Sequence, residues 1–194
     1  METKEEILNQ LNKYANKCNE GKEESEPILR FLQEYQGEEI LDRKNFTGHI
    51  TTSAFIINEN ADALLLLKHK SLNRWLQPGG HVDATDLSLK AAALREACEE
   101  TGLASASLKL LSDDIFDIDS HHIPANTKKQ EPAHVHHDIR FLFQCLTSEA
   151  LDICLEESTD SKWIHLSNLK DSEDFYSVTE KIKIFIPLYC KSII

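Results

Sequence analysis

One helix-forming segment constrains this chain more than any other, because it places three acidic residues on a single face. After a Pro-Gly-Gly turn, the segment Trp75–Leu103 predicts a loop and then a helix that ends at Gly102. Glu96, Glu99 and Glu100 fall within roughly 100° of arc on that helix. Like charges at these spacings repel one another, and the helix dipole adds to the repulsion in the last turn. The segment predicts either a solvated acidic helix end or a site where a bound cation neutralises the carboxylates.

The other side of the same helix is apolar and is predicted to be the buried face. Its members are Leu87, Ala91, Leu94 and Cys98. Cys98 is therefore interpreted as a packing residue and not as a nucleophile. Ahead of the helix, Pro78, Gly79 and Gly80 permit a sharp turn and a close approach of the backbone. The carbonyl of Gly79 is a candidate oxygen ligand for a hard divalent cation.

Residues 80–103 resemble the signature of Nudix hydrolases, which reads G-x5-E-x7-R-E-U-x-E-E-x-G-U with U an aliphatic residue. Gly80 matches the first glycine, and the run from Arg95 to Leu103 matches the last nine positions, although Ala97 is smaller than the usual aliphatic residue. Asp86 stands where the first glutamate is expected, and eight residues instead of seven separate it from Arg95. In the family this acid pairs with the arginine and supports the loop. The resemblance therefore implies a bridge between Asp86 and Arg95.

The resemblance also implies a fold and an activity. The expected fold is α/β, a Nudix-type α/β/α sandwich with a mixed central sheet, and the expected reaction is hydrolysis of a diphosphate linkage in a nucleoside diphosphate derivative. Mg²⁺ or Mn²⁺ is the implied cofactor. Its implied ligands are the Gly79 carbonyl and the carboxylates of Glu96, Glu99 and Glu100. Glu157 or Glu96 is implied as the general base, and Arg95 as the residue that orients Glu99 or holds the loop.

Two alternatives of other classes remain open at this point. A metal-dependent isomerase can share the fold, since a fold does not determine its chemistry. It needs its own acid–base pair, for which the histidines are the candidates. A ligand-sensing module without turnover is the second alternative, although such a protein has no need of the three glutamates that this chain retains.

The first 45 residues are predicted to form a helical arm ahead of a Nudix domain at residues 46–194. Apolar residues recur at helical spacing over residues 4–18, and a second helix is predicted to begin at Pro27 and to end near Gly37. The arm is predicted to cap the substrate site, to mediate a homodimer or to cover the sheet. Covering the sheet is the favoured role.

Within the domain, β-branched residues and period-two patterns predict strands, and a continuous apolar run predicts a central strand buried on both faces. A 3.6-residue periodicity predicts a closing helix. The predicted strands are His49–Ile57, Ala63–Leu67, Leu108–Ile118, Ala133–Leu146 and Ser161–Leu166, a polar loop is predicted at Asp119–Pro132, and the closing helix is predicted at Phe175–Cys190.

Two groups of polar residues are candidates for contacts with substrate. Arg74 belongs to a basic patch with Lys68, His69 and Lys70, which predicts either contacts with phosphate oxygens or a solvated surface. The predicted strand Ala133–Leu146 carries His134, His136 and Asp138 on one face. These three residues favour substrate contacts, through His136 and Asp138 in particular, over a second metal site or a polar strand face.

Composition restricts the partners and the compartment. A net charge of −12 and an isoelectric point of about 5.2 disfavour binding to duplex nucleic acid, which leaves a small nucleotide-type substrate. The longest apolar run, Ala63–Leu67, is far too short to span a membrane, and the acidic N-terminus lacks an export signal. The five scattered cysteines, without a CxxC pair, indicate reduced thiols in a cytoplasmic protein.

Overall fold

A computed structural model of the chain describes residues 2–17, 19–127, 130–148 and 150–191. The fold is α/β, as the sequence predicts, with four α-helices and eight β-strands in the described ranges. The helices are α1 (Lys4–Ala15), α2 (Asn19–Glu34), α3 (Leu89–Thr101) and α4 (Tyr176–Lys191). The strands are β1 (His49–Ile57), β2 (Ala63–His69), β3 (Arg74–Leu76), β4 (Gly79–His81), β5 (Leu108–Leu110), β6 (Asp117–Ile123), β7 (His134–Cys145) and β8 (Ser158–His165). None of these helices has the length and apolar character that crossing a membrane requires.

The chain forms two compact units, each assembled from three segments. The first comprises Met1–Ala54, Gly79–Glu96 and Ser112–Phe141, and the second comprises Phe55–Pro78, Ala97–Leu111 and Leu142–Ile194. The predicted boundary between an arm and a domain after residue 45 remains a prediction.

In the first unit, β4 pairs antiparallel with β1, and β6 pairs antiparallel with β7 along its whole length. The β6–β7 register runs from Asp117 opposite Arg140 to Ile123 opposite His134. Helix α2 packs against both α1 and β6. These pairings bring the polar residues of β1, β4, β6 and β7 into one region of the unit.

The second helix begins earlier than the sequence predicts, because its polar first half packs closely against α1. It starts at Asn19 and not at Pro27, which lies inside the helix. Gly21 permits the contact, since a Cβ atom there would lie 2.8 Å from the carbonyl oxygen of Tyr14. The buried Ser25 hydroxyl donates to the Gly21 carbonyl over 2.6 Å. Cys18, which was predicted to belong to the first helix, lies outside the described residues.

In the second unit, β2 is the central strand, flanked by β1, β3 and β8 in antiparallel pairings. Every residue of Ala63–Leu67 is buried, which confirms the prediction of a strand covered on both faces. Strand β5 pairs with the end of β7. Helix α4 buries Val178 and Ile182.

The predicted strand Leu108–Ile118 and the loop that follows it were wrong in extent. Strand β5 ends at Leu110, and β6 begins at Asp117 and continues to Ile123, inside the predicted loop. The reason is pairing with β7, which holds the polar residues of β6 in an extended conformation that their own composition does not favour.

The buried face of α3 also differs from the prediction. Leu87 precedes the helix and is 81% exposed, while Ala91, Leu94 and Cys98 are only half-buried. The buried residues are instead Leu89, Ala92, Ala93, Ala97, Glu100 and Thr101. Alanines allow a helix to approach its neighbours closely, so the helix packs through its small residues and the acidic side is partly enclosed.

Candidate functional site

Arg95 holds the loop that precedes α3. Its Nε donates to Asp86 Oδ1 over 3.0 Å, and its Nη2 donates to Asp86 Oδ2 and to the carbonyl of His81, both over 2.9 Å. Its Nη1 donates to Glu96 Oε1 over 2.9 Å. The bridge between Asp86 and Arg95 is thus confirmed, although the acid is shorter than glutamate and one residue is inserted.

The bridge determines the ionisation of both partners. Burial alone would raise the pKa of Asp86, but hydrogen bonds from Arg95 and from the Asp83 amide outweigh it and lower that pKa below its ordinary value. Hydrogen bonding to Asp86 raises the pKa of Arg95 further above its ordinary value. Both groups are therefore charged at neutral pH.

We expect the Asp86→Asn variant to be less stable than the wild type at pH 7 by about 2 kcal/mol, because one charge-assisted pair is lost. The folded pKa of Asp86 is depressed, so the contribution of the carboxylate is complete above its unfolded pKa of about 3.9 and is lost as pH falls through the folded value. The difference between the two proteins should therefore shrink below about pH 4. Urea unfolding of both proteins at pH 7, 5 and 3 measures it, and a constant difference would contradict this account.

Gly79 and Gly80, which were predicted to form a turn, belong to strand β4, and Glu96 lies against the backbone of that strand. Its side chain is 14% exposed, and a Cβ atom built on Gly80 would lie 2.6 Å from its Cδ and 2.7 Å from both carboxylate oxygens. Glycine is thus required at residue 80 for this carboxylate to occupy its position. Arg95 supplies this carboxylate with a cationic donor.

The two other acids of α3 differ in exposure. Glu100 is 8% exposed, whereas Glu99 is exposed. A later loop supplies hydrogen bonds to the end of the helix. The amide of Cys154 donates to the Glu100 carbonyl and the amide of Asp152 donates to the Thr101 carbonyl, both over 3.0 Å. These backbone contacts hold the end of the helix in place.

Glu157 immediately precedes β8 and is exposed. Its carbonyl accepts from the amide of Lys70 over 2.8 Å, so its backbone position is well defined. In the same unit, Arg74 forms an exposed ion pair with Asp174 over 2.7 Å. Lys68 donates to the Asn73 carbonyl. Local contacts therefore engage much of the predicted basic patch.

Asp138 lies in a buried ion network on β7, and not on an open strand face. It is 3% exposed and accepts from Ser53 over 2.6 Å, from Thr51 over 3.3 Å and from Arg140 over 2.8 Å. Arg140 also bridges two carboxylates of β6, those of Asp117 and Asp119. This network was not predicted, although the period-two spacing of Asp117 and Asp119 and of Asp138 and Arg140 places each pair on one face of its strand.

A group of histidine rings fills the adjoining part of the first unit. The ring centroids of His49 lie 5.1 Å from those of His81 and His134 and 4.7 Å from that of His136. The ring of His136 is 5.3 Å from His81 and 5.0 Å from His134. Only His134 and His136 were candidates from sequence, because His49 and His81 lie on strands far away along the chain.

The environment of these rings keeps several of them neutral. Burial, together with the neighbouring histidines, lowers the pKa of His136 to about 2. Burial also lowers the pKa of His49 and brings that of His137 to about 4. Near neutral pH these imidazoles therefore carry lone pairs and no charge.

Burial and the nearby Glu99 raise the pKa of the Cys98 thiol, which disfavours the nucleophilic thiolate form. The three cysteines whose side chains are described, Cys98, Cys145 and Cys154, are free thiols, which agrees with the sequence interpretation. The candidate functional residues are those of the acidic helix and the histidine group.

Comparison with known proteins identifies the family. A family model described as NUDIX domain matches residues 47–182. A protein of Lactococcus lactis subsp. cremoris (strain MG1363), named probable DHNTP pyrophosphohydrolase, is 30% identical over 131 residues, which are 66% of this chain and 74% of that protein.

Solved structures share the fold. A NUDIX-family hydrolase from Clostridium perfringens has a TM-score of 0.50 at 27% identity, covering 70% of this chain and 97% of the other. The Ap4A hydrolase of C. elegans in a binary complex has a TM-score of 0.55 at 19% identity, covering 71% of this chain and 97% of the other, which shows a common fold. The chain therefore belongs to the Nudix family and is a pyrophosphohydrolase, an enzyme that hydrolyses a diphosphate linkage in nucleotide derivatives.

Proposed function

We propose that hydrolysis depends on Mg²⁺ or Mn²⁺ held by the α3 carboxylates. The proposed ligands are the side chains of Glu96, Glu99 and Glu100 and the carbonyl of Gly79. The observation that carries the proposal is the close contact between the Glu96 carboxylate and the backbone of Gly80. A Cβ atom at residue 80 would occupy the space that this carboxylate fills. All four donors are hard oxygen atoms, the type that Mg²⁺ and Mn²⁺ prefer, so the donor set fits these ions.

When bound, such an ion supplies Lewis acidity toward phosphoryl oxygens and lowers the pKa of a coordinated water. The protein residues provide the remaining functions. Glu157 or Glu96 accepts the proton of the attacking water as general base. Arg95 is a positioning residue, because its contacts with Asp86 and the His81 carbonyl hold the loop before α3 and its contact with Glu96 orients that carboxylate.

Substrate contacts through Arg74, His136 and Asp138 remain predictions. Arg74 is exposed and carries the charge that a phosphate group requires. The observed surroundings of His136 and Asp138 give less support to contacts with substrate. His136 lies among other histidines, and the Asp138 carboxylate is enclosed by Thr51, Ser53 and Arg140.

The substrate that we propose first is dihydroneopterin triphosphate, or a nucleoside triphosphate of similar size. The 30% identity to the Lactococcus lactis protein supports this choice. Attack of water on one phosphorus atom would release pyrophosphate and leave the monophosphate. We also propose a cytoplasmic location.

The N-terminal helices are proposed to cover the strands of the first unit. Two contacts support this role: Lys13 pairs with Asp114 over 2.6 Å, and the ring of Phe31 lies 4.8 Å from that of His137 on β7. A homodimer through the same helices remains a prediction.

The substrate assignment is tested with the purified enzyme and a panel of compounds in the presence of Mg²⁺. The panel contains dihydroneopterin triphosphate, the nucleoside triphosphates, ADP-ribose, dinucleoside polyphosphates and sugar nucleotides. We expect the highest kcat/KM for dihydroneopterin triphosphate, with pyrophosphate as a product. A higher kcat/KM for ADP-ribose or a sugar nucleotide would show that the enzyme acts on that substrate class instead. If none of the compounds is hydrolysed, the proposal is contradicted.

The adjacent glycines provide a matched test of the metal site. We expect Gly80→Ala to lower kcat by about 100-fold with little loss of stability, because the new methyl group displaces the mobile end of Glu96. Gly79→Ala should instead lower stability by about 1–3 kcal/mol, because its Cβ would lie 2.6 Å from the backbone carbonyl of Thr52. Steady-state kinetics and urea unfolding of both variants measure the difference. Wild-type kcat in a folded Gly80→Ala protein would exclude the proposed position of Glu96.

A further inference from the structure

We propose that His49, His81 and His136 bind a zinc ion, with ligands distinct from the acidic residues of α3. One ring nitrogen from each residue lies within 4.8 Å of those of the other two. A tetrahedral zinc ion, with bonds of about 2.0–2.1 Å to imidazole, holds such nitrogens about 3.3 Å apart. Modest side-chain rotations therefore bring the three rings to coordination distance.

Strand pairing brings these residues together from distant parts of the sequence. His81 on β4 is opposite Thr51 on β1, and His49 lies two residues before Thr51, on the same face of β1. His136 lies two residues before Asp138, whose carboxylate accepts from Ser53 on β1. The backbone of the first unit thus directs all three rings toward one place.

His49 has a ring nitrogen that a metal ion would satisfy. Its Nδ1 lies 3.2 Å from the Asn45 carbonyl oxygen, an acceptor, so the ring donates from Nδ1 and carries its lone pair on Nε2. That Nε2 atom is buried and has no hydrogen-bond partner among the described residues. A buried nitrogen without a partner is costly, and coordination removes the cost. Histidines that bind metals commonly donate their other N–H to a backbone carbonyl in this way.

His134 contacts one of the proposed ligands, His136, through a hydrogen bond between their rings. Its Nδ1 lies 2.8 Å from the Pro132 carbonyl, and its Nε2 lies 3.1 Å from Nε2 of His136. Because the carbonyl takes the Nδ1 proton of His134, the proton between the two Nε2 atoms belongs to His136. Zinc binding at Nδ1 of His136 preserves this hydrogen bond to His134. Binding at Nε2 breaks it, because the proton of the neutral ring then resides on Nδ1.

The donor atoms select the type of metal. Imidazole nitrogen suits Zn²⁺ and its neighbours in the first transition series, whereas Mg²⁺ and Ca²⁺ prefer oxygen. Three protein ligands leave the fourth tetrahedral position to water or an anion, as in zinc sites that are not purely structural. This composition differs from the oxygen set of α3, so the two sites should be separable by mutation.

The experiment uses untagged protein that has been stripped with a chelator and dialysed. Zinc binding is measured by competition with a chromophoric chelator, and Co²⁺ replaces zinc to report tetrahedral nitrogen coordination by visible absorption. We expect one zinc per chain in the wild type. Affinity should fall by at least about 100-fold in His81→Gln and in His136→Gln. The matched control is His122→Gln, which alters an exposed residue of β6 and should bind zinc as the wild type does.

Two further measurements separate this site from the α3 carboxylates and from unfolding. Glu100→Gln should retain zinc affinity, and zinc at about 100 times its Kd should raise the melting temperature of the wild type by about 5–10 °C without raising that of His81→Gln. If one histidine variant has no melting transition in its metal-free form, the other decides. Wild-type zinc affinity in a folded histidine variant, or loss of zinc binding in Glu100→Gln, would overturn the proposal. So would the absence of stoichiometric binding to the wild type.

Discussion

The Glu100→Gln enzyme should lose nearly all turnover while it keeps its fold. The substitution preserves the volume of the side chain and removes one negative charge from the proposed ion site. Loss of several kcal/mol of transition-state stabilisation corresponds to a decrease in kcat of about 10²–10⁴-fold. The metal-free protein should be as stable as the wild type or slightly more stable, because repulsion from Glu96 is relieved. Steady-state kinetics with Mg²⁺, calorimetric titration with Mn²⁺ and thermal unfolding measure the three quantities.

A matched control is Glu34→Gln, which changes an exposed glutamate in the last turn of α2 and should leave kcat unaltered. The ligand assignment is wrong if Glu100→Gln retains the activity of the wild type. Weakened Mn²⁺ binding together with lost turnover would support it. Lost turnover with unchanged Mn²⁺ binding would assign Glu100 a role other than coordination.

Arg140→Met should be the most destabilising substitution considered for this chain. Arg140 contacts Asp117, Asp119 and Asp138, and its side chain is 13% exposed. Its removal leaves two carboxylates that are 4–5% exposed without their cation. Breaking a buried ion pair on one side costs about 3–5 kcal/mol, because an uncompensated charge remains in the interior. Urea unfolding at pH 7 measures the change in free energy.

The control is Arg30→Met, which removes an exposed ion pair with Glu26 and should cost less than about 1 kcal/mol. A second variant tests the mechanism directly. Adding Asp138→Asn to Arg140→Met should restore part of the lost stability, since one of the unpaired charges is removed. A loss below about 1 kcal/mol in Arg140→Met, or no recovery in the double variant, would show that the network does not stabilise the fold.

Local sequence signals accounted well for the acidic helix and for the most apolar strands. The helix end at Gly102 was predictable because the residue has φ of +73°, a conformation that favours glycine. The contact of Asp86 with Arg95 followed from the family resemblance, β1 followed from its many β-branched residues, and β7 followed from the period-two pattern of its sequence. In each case the information lies within a dozen residues or so of sequence.

Features that depend on distant parts of the chain were missed. The polar start of α2 is helical because Gly21 contacts Tyr14, and β6 is a strand because it pairs with β7. Leu87 was predicted to be buried by the periodicity of a helix that begins only at Leu89. The histidine group draws on three strands, so no spacing along the sequence could have indicated it.

Strand β4 restricts which substitutions and segment exchanges this enzyme can accept. Its three residues, Gly79, Gly80 and His81, supply a candidate ligand carbonyl, the bare backbone beside Glu96 and one ring of the histidine group. The carbonyl of His81 also accepts from Arg95, so a shift in this tripeptide is transmitted to the arginine and the loop it holds. Exchange of active-site loops between related enzymes should therefore succeed only when this tripeptide is transferred together with its partners on β1 and α3.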